Sequence, residues 1–215
     1  MRLQLHCIAH RFASYPGMSQ PTRRRAFFGG SFDPVHPAHV AIARAAVLQA
    51  GLDRVIFLPA AQSPLKDHGP EASGPRRLEM LRLALADCPW AEVSDWELHR
   101  PGPSYSWQTV EHFQQLAGED TEWFWLMGVD QWAQLPRWQR WEHLAGLVTF
   151  LIFTRDGIVP QPRLGVNSMI LSGEFAGSST SVRSARQEGR AWEALVQPAV
   201  AAVIRKERLY QPLRQ

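Results

Sequence analysis

The stretch GGSFDPVHPAHV, Gly29 to Val40, holds residue types at spacings that could do chemistry. Two glycines close an apolar run, and His36 and His39 stand three apart across Pro37 and Ala38. Glycines at a strand end let the backbone come close to a ligand. A helix starting at Pro37 would add unpaired N–H groups and a positive dipole end, both favourable to phosphate. Two histidines there could donate hydrogen bonds to phosphate oxygens while charge builds on a leaving group. Two other readings stay open on these residues alone. HxxH can bind zinc, although no third or fourth ligand lies at a telling distance. Either histidine could also merely cap or pack at the helix end. The chain holds neither GxxxxGK[ST] nor GxGxxG, which disfavours a kinase or a nicotinamide dehydrogenase.

These residues need elements to position them. Arg25 to Gly30 reads as a short buried strand ending in a turn. Pro37 to Ala50 reads as a helix with Val40, Ala43, Val47 and Leu48 at helical spacing, stopped by Gly51. Arg54 to Ala60 is a β-branched run, so strand, helix and strand form a βαβ unit and imply a parallel sheet. The alternation continues. Helices are expected at Pro75 to Asp87, Ser104 to Ala117 (Val110, Phe113 and Leu116 on one side), and Gln131 to Ala145, interrupted by Pro136. Strands are expected at Glu92 to Leu98, Glu122 to Gly128, Val148 to Arg155 and Asn167 to Gly173. Two helices follow, near Ser179 to Gln187 and Pro198 to Lys206. The fold class is α/β, a doubly wound and mainly parallel sheet with helices on both faces. The one long irregular stretch, Ala61 to Gly74, follows a strand end, where such sheets place ligand loops.

The chain has 215 residues, 45% hydrophobic and 20% charged, enough for one core and too apolar for global disorder. The net charge is +3 and the pI about 9.2. That excess suits an anionic small molecule, and a nucleic-acid reader would concentrate its basic residues more than Arg23-Arg24-Arg25 does. Cys7 and Cys88 are far apart and in no motif, so neither a disulfide framework nor structural zinc is expected, and a reducing compartment is. No apolar run approaches the roughly 18 residues of a membrane span. Six of the nine Trp residues fall between Trp107 and Trp141, a region that must bury aromatic surface or line a pocket. Residues 1–24 contain no Asp or Glu and read as a flexible N-terminal extension to a single domain, 25–215. An organelle transit peptide is the alternative, and Met18 could be the working start.

GGSFDPVHPAHV resembles the GG[TS]FDPxHxGH signature of the HxGH-motif nucleotidylyltransferases, and within them the bacterial nicotinate mononucleotide adenylyltransferases. Four further segments agree, in the expected order. SPLK, Ser63 to Lys66, is similar to the family's PPHK loop, and RPGPSYSWQT, Arg100 to Thr109, to its R-x-x-x-SYTxxT segment. MGVDQWAQLPRWQRW, Met127 to Trp141, resembles GxDxxxxLPxWxxW, and GSSTSVR, Gly177 to Arg183, resembles ISSTxIR.

The resemblance implies a Rossmann-like fold and attack by the phosphate of a mononucleotide on the α-phosphorus of ATP, with Mg²⁺ bridging phosphates and pyrophosphate leaving. It implies roles position by position. Gly29, Gly30, Ser31 and Phe32 would line phosphates with backbone N–H groups. His36, His39 and Arg183 would be catalytic, with Ser179 and Thr180 at a second helix N-terminus near the β- and γ-phosphates. Gly128 and Asp130 would touch the adenosine side of ATP. Lys66, Ser106 and Trp138 would hold the mononucleotide, and no metal ligand is expected among side chains. Asp33 would hold the turn, and His99, His112 and His143 match no motif. The partners implied are ATP and nicotinate mononucleotide, with no nucleic acid or membrane, in the cytoplasm. Four departures stand: Ala38 replaces the glycine between the histidines, Gly177 an apolar residue before the Ser-Ser-Thr, Leu65 the histidine of the PPHK loop, and Ser106 the threonine of SYT. Rival readings are a relative using nicotinamide mononucleotide or pantetheine phosphate, and a catalytically silent nucleotide-binding module.

Overall fold

The computed structural model describes residues 22–62, 68–117, 120–154 and 158–211. Six strands form one all-parallel sheet: β1 (Arg23–Gly30), β2 (Arg54–Pro59), β3 (Ala91–Val93), β4 (Thr121–Gly128), β5 (Thr149–Phe153) and β6 (Ser168–Leu171), in the order β3-β2-β1-β4-β5-β6. Seven α-helices occur among the described residues: α1 (Pro37–Ala50), α2 (Gly74–Ala84), α3 (Ser106–Ala117), α4 (Val129–Ala133), α5 (Trp141–Leu147), α6 (Ser179–Gln187) and α7 (Pro198–Lys206).

Both faces of the sheet are covered, so β1 is apolar throughout its centre rather than alternating. Its side chains still alternate in direction: Ala26 and Phe28 join a core with Ile42 of α1 and Val200 and Ile204 of α7. Phe27 joins the opposite core with Trp123, Trp125 and Val110 of α3. Phe27 stacks on Trp123 with ring centroids 4.8 Å apart. Much of the expected Trp cluster is therefore core, since Trp123, Trp125 and Trp132 are all buried.

Strand order reverses direction between β1 and β4, and ligands of such sheets bind where this happens, at the carboxyl ends of the strands. The register shows the crevice opening. Pairing of β1 with β4 ends at Phe28 opposite Leu126, while Gly29 and Gly30 continue only against Leu58 and Pro59 of β2.

Several expectations are corrected. β1 begins at Arg23, because Arg24 is tied into the fold: its Nε donates to the Ala50 carbonyl at 3.0 Å and its guanidinium pairs with Glu122. Arg24 is thus spent within the domain. The strand expected over Glu92 to Leu98 stops at Val93, and Trp96–His99 is a 3-10 turn instead. The helix expected over Gln131 to Ala145 is α4, a 3-10 turn at Leu135–Arg137, and α5, the break falling around Pro136 as a missing N–H demands. α1 buries Ala38, Ile42, Ala43, Ala46 and Ala50, and Leu48 is 73% exposed. Leu116 of α3 is exposed as well.

Candidate active site

The site grows from the turn between β1 and α1. Close approach favours glycine at the end of β1: a Cβ on Gly29 would lie a tight 3.1 Å from the Trp125 ring, and one on Gly30 a tight 3.2 Å from the Phe32 ring. Phe32 turns the chain with φ 48° and buries its side chain, so only its backbone can face a ligand. Asp33 is buried and fastens the turn. Its Oδ1 accepts from the Tyr210 hydroxyl at 2.6 Å and the Ala72 N–H at 3.1 Å, and its Oδ2 accepts from the Glu71 N–H at 2.7 Å. Burial, then the Asp33 charge beside it, pushes the Tyr210 hydroxyl well above its usual pKa, so it stays a donor. Arg77 is also buried and braces the same turn. Its Nη1 donates to the carbonyls of Ser31 and Ala60, both at 2.8 Å, and its Nε to that of Ala72 at 3.1 Å. The expected turn-holding role of Asp33 is thus visible in its contacts.

His36 is the N-cap of α1, with extended backbone, and Pro37 follows in the first turn. His39 Nδ1 accepts the His36 backbone N–H at 3.2 Å. An acceptor Nδ1 fixes the tautomer: the ring proton must sit on Nε2, which makes the far edge of the ring a donor. The two rings lie 3.8 Å apart, and Phe32 packs edge-on against His39 at 5.0 Å. His39 therefore caps the helix and points a donor edge elsewhere, so the capping and donor readings are compatible.

A second helix end meets the first. Ser178 caps α6, its Oγ accepting the Ser181 N–H at 3.0 Å. Ser179 Oγ donates to the Pro34 carbonyl at 2.9 Å, and Arg183 Nη1 donates to the Asp33 carbonyl at 2.8 Å. Arg183 Nε also pairs with Glu71 Oε1 at 3.0 Å. These bonds bind the N-terminus of α6 to the turn leading into α1, so two positive helix ends face one region.

Beside them lies a cavity of about 660 Å³. Gly29, Gly30, Ser31 and Ala60 form one side, Ser104, Tyr105 and Ser106 a second, and Gln131, Gln134, Arg137, Trp138 and Gln139 a third. Trp125, itself buried, forms part of its wall, with the Trp138 ring edge-on at 6.1 Å. Glu97 also lines the cavity although it is only 4% exposed. It accepts the Thr109 hydroxyl at 2.7 Å. Burial raises the Glu97 pKa, with hydrogen bonds from Thr109 and Ser104 opposing. A carboxyl whose folded pKa exceeds its unfolded one loses stability as pH rises through that window. Replacing it with glutamine, Glu97→Gln, should therefore raise Tm at pH 7. The gain should vanish below about pH 4, where the unfolded carboxyl is also protonated. Thermal melts of both proteins across pH 4–8 check this, and a gain that persists at low pH would contradict it.

The structure gathers most of the expected residues. Gly29, Gly30, Ser31, Ser106 and Trp138 line the cavity; His36, His39, Ser179 and Arg183 sit at the two adjoined helix ends. Gly128 is the N-cap of α4, where a Cβ would meet Phe153 at 3.1 Å, and Thr180 is exposed on the first turn of α6. Asp130 is exposed on α4, and its neighbours Gln131 and Gln134 line the cavity instead. Lys66, with the rest of Ser63 to Lys66, lies outside the described residues. Of the unmatched histidines, His143 bonds Glu111 at 2.8 Å, His112 stacks on Trp96, and His99 meets the Asp95 carbonyl. Glu97, Arg77 and Tyr210 were not singled out from sequence. Glu97 offered a faint signal, an acid between Trp96 and Leu98, whereas Tyr210 is 177 residues from the aspartate it serves.

Comparison with known proteins bears on the family and the fold. Residues 27–185 match the model of the family described as cytidylyltransferase-like. A protein of Synechococcus sp. (strain JA-3-3Ab) named "probable nicotinate-nucleotide adenylyltransferase" is 38% identical over 197 residues, covering 87% of this chain and 95% of its own. One with the same name from Methylacidiphilum infernorum is 36% identical over 200 residues, covering 89% and 94%. In fold, the chain superposes on the Plasmodium falciparum nicotinic acid mononucleotide adenylyltransferase, solved in complex with NaAD, with a TM-score of 0.73 at 15% identity, covering 87% of this chain and 97% of that one. The chain belongs to the cytidylyltransferase-like family and, within it, to the nicotinate-nucleotide adenylyltransferases.

Proposed function

We propose that this chain joins nicotinate mononucleotide to the AMP moiety of ATP, yielding nicotinate adenine dinucleotide and pyrophosphate, a step of NAD biosynthesis. The observation that carries the reading is the meeting of two helix N-termini, bonded through Ser179 and Arg183 to the Asp33–Pro34 turn, beside an aromatic-walled cavity at the switch point of the sheet. A phosphate oxygen of the mononucleotide attacks the α-phosphorus of ATP, the bond to the β-phosphate bridging oxygen breaks, and that oxygen leaves with pyrophosphate. No side chain forms a covalent bond, so the protein's contribution is alignment and neutralisation of charge.

The roles divide by place. Backbone groups of Gly29, Gly30, Ser31 and Phe32 approach the reacting phosphates. His39 donates from Nε2, and with His36 meets the negative charge that grows on the leaving group. Ser179, Thr180 and the Arg183 guanidinium hold the β- and γ-phosphates at the α6 end. Gly128 and Asp130 contact the adenosine side. Ser106 hydrogen-bonds and Trp138 stacks on the pyridine ring, and Lys66 neutralises the mononucleotide phosphate. Magnesium enters as part of the ATP substrate, and the donor set of helix ends, histidines and arginine suits the phosphate oxygens of that substrate. The catalytic domain is proposed to run from Arg23, where β1 begins, with the residues before it an appendage, and to work in the cytoplasm. No helix among the described residues is long and apolar enough to cross a membrane.

The test is a panel of acceptors. With ATP and Mg²⁺, nicotinate mononucleotide should release pyrophosphate fastest, ahead of nicotinamide mononucleotide and pantetheine phosphate. A faster rate with either rival would reassign the acceptor.

A further inference from the structure

Glu97 is a buried acid that the reaction proposed above does not use. It is 4% exposed, yet it lines the cavity together with Ser104 and Ser106. It stands on the 3-10 turn Trp96–His99. Its Oε1 accepts the Thr109 hydroxyl at 2.7 Å, and the Ser104 hydroxyl bonds the same carboxyl. Each partner holds a different piece of the cavity wall. Thr109 lies in the first turn of α3, whose first residue is Ser106, and its N–H donates to the Tyr105 carbonyl at 3.3 Å. Ser104 crosses to the chain leaving β2: its N–H donates to the Gln62 carbonyl at 3.1 Å, and its Oγ accepts the Ala61 N–H at 3.3 Å. Ala60, one residue back, lines the cavity, and its carbonyl accepts from Arg77, which also holds the Ser31 carbonyl. One carboxyl thus joins a turn, a helix start and a strand exit. The choice of side chain fits that task. Two hydroxyls donate to it, and an amide has one accepting oxygen where a carboxylate has two.

We propose that Glu97 is a positioning residue for the mononucleotide: through Thr109 and Ser104 it fixes the start of α3 against the chain leaving β2, and so sets where the Ser106 hydroxyl meets the pyridine ring. It acts through these two hydroxyls and not by touching the substrate. The inference rests on the function proposed above, in which Ser106 and Trp138 hold the ring. The ATP side is fastened by other bonds, those of Ser179 to the Pro34 carbonyl and of Arg183 to the Asp33 carbonyl. Loss of the Glu97 carboxyl therefore falls on one substrate and spares the other. Its burial disfavours the charged form, so the fold itself gains nothing from an acid here that an uncharged side chain would not supply.

The test is a double-mutant cycle of Glu97→Ala, Thr109→Val and the pair, with Glu97→Gln beside them. Initial rates are measured against ATP and nicotinate mononucleotide separately, alongside Tm. Thr109 is fully buried and is not among the residues lining the cavity, and valine keeps its volume while removing the donor. Glu97→Ala should raise the KM for the mononucleotide about tenfold or more and Thr109→Val about threefold, the order of effect expected when a contact is misplaced by less than about 1 Å. The KM for ATP should stay at its wild-type value. The pair should be no worse than Glu97→Ala alone, because the bond it removes is already gone. Glu97→Gln keeps the reach and the Thr109 bond, and should recover most of the loss. A Thr109→Val variant with wild-type mononucleotide KM would overturn the inference, as would an ATP KM that rises in step or a change confined to Tm. Should Glu97→Ala fail to fold, the isosteric Thr109→Val decides by itself. A wild type that turns over no acceptor would sink the proposed function and this inference with it. An active wild type whose variants keep the mononucleotide KM would sink the inference alone.

Discussion

Replacing His39 with alanine should lower kcat by roughly 10²-fold or more while leaving the protein folded, the scale of losing one donor aimed at charge that develops in the transition state. The magnitude separates two jobs done by one ring. His39 Nδ1 caps α1 by accepting the His36 N–H, and a lost cap costs about 1 kcal/mol of stability. That loss would lower Tm by a few degrees and would not by itself slow the chemical step. Glutamine at the third helical position can reach back to the same backbone N–H. His39→Gln should therefore recover most of the Tm but not the rate. A His39→Ala variant with near-wild-type kcat would leave His39 as a cap and nothing more.

The largest stability effect should come from Asp33→Ala. It strands three donors at once, the Tyr210 hydroxyl and the N–H groups of Glu71 and Ala72. It also removes the negative charge that offsets the burial of Arg77. Unsatisfied buried groups cost about 1–3 kcal/mol each, and partial hydration of the opened site lowers the sum, so a loss of about 3 kcal/mol or more is expected. For a chain of this size that is a fall in Tm of about 6–12 °C. Tyr210→Phe removes only one of the three donors and should cost about a third as much. An Asp33→Ala variant melting within a degree of wild type would mean that the carboxylate does not hold the turn.

The β1–turn–α1 unit was legible because each of its signals is local. Glycines end the strand, proline opens the helix, and Gly51 closes it in the left-handed region at φ 59°, ψ 44°. The buried face of α1 was less so. Of the residues expected there Ala43 is buried but Leu48 is exposed, and the rest of the buried face is Ala38, Ile42, Ala46 and Ala50, mostly small side chains that permit close approach. The strand expected through Leu98 hid a functional detail, since only the 3-10 turn places Glu97 in the cavity wall beside Ser104 and Ser106. The clasp of Tyr210 on Asp33 joins the C-terminal end of the described chain to its first turn, and no pattern within a window of sequence encodes such a contact.

The central claim is that ATP is split between its α- and β-phosphates by a mononucleotide phosphate. Quantifying both products of ATP, Mg²⁺ and nicotinate mononucleotide with the purified chain tests it most directly. The account predicts one pyrophosphate for every nicotinate adenine dinucleotide, and neither product when the mononucleotide is left out. Release of inorganic phosphate with ADP, or pyrophosphate with no dinucleotide, would contradict it.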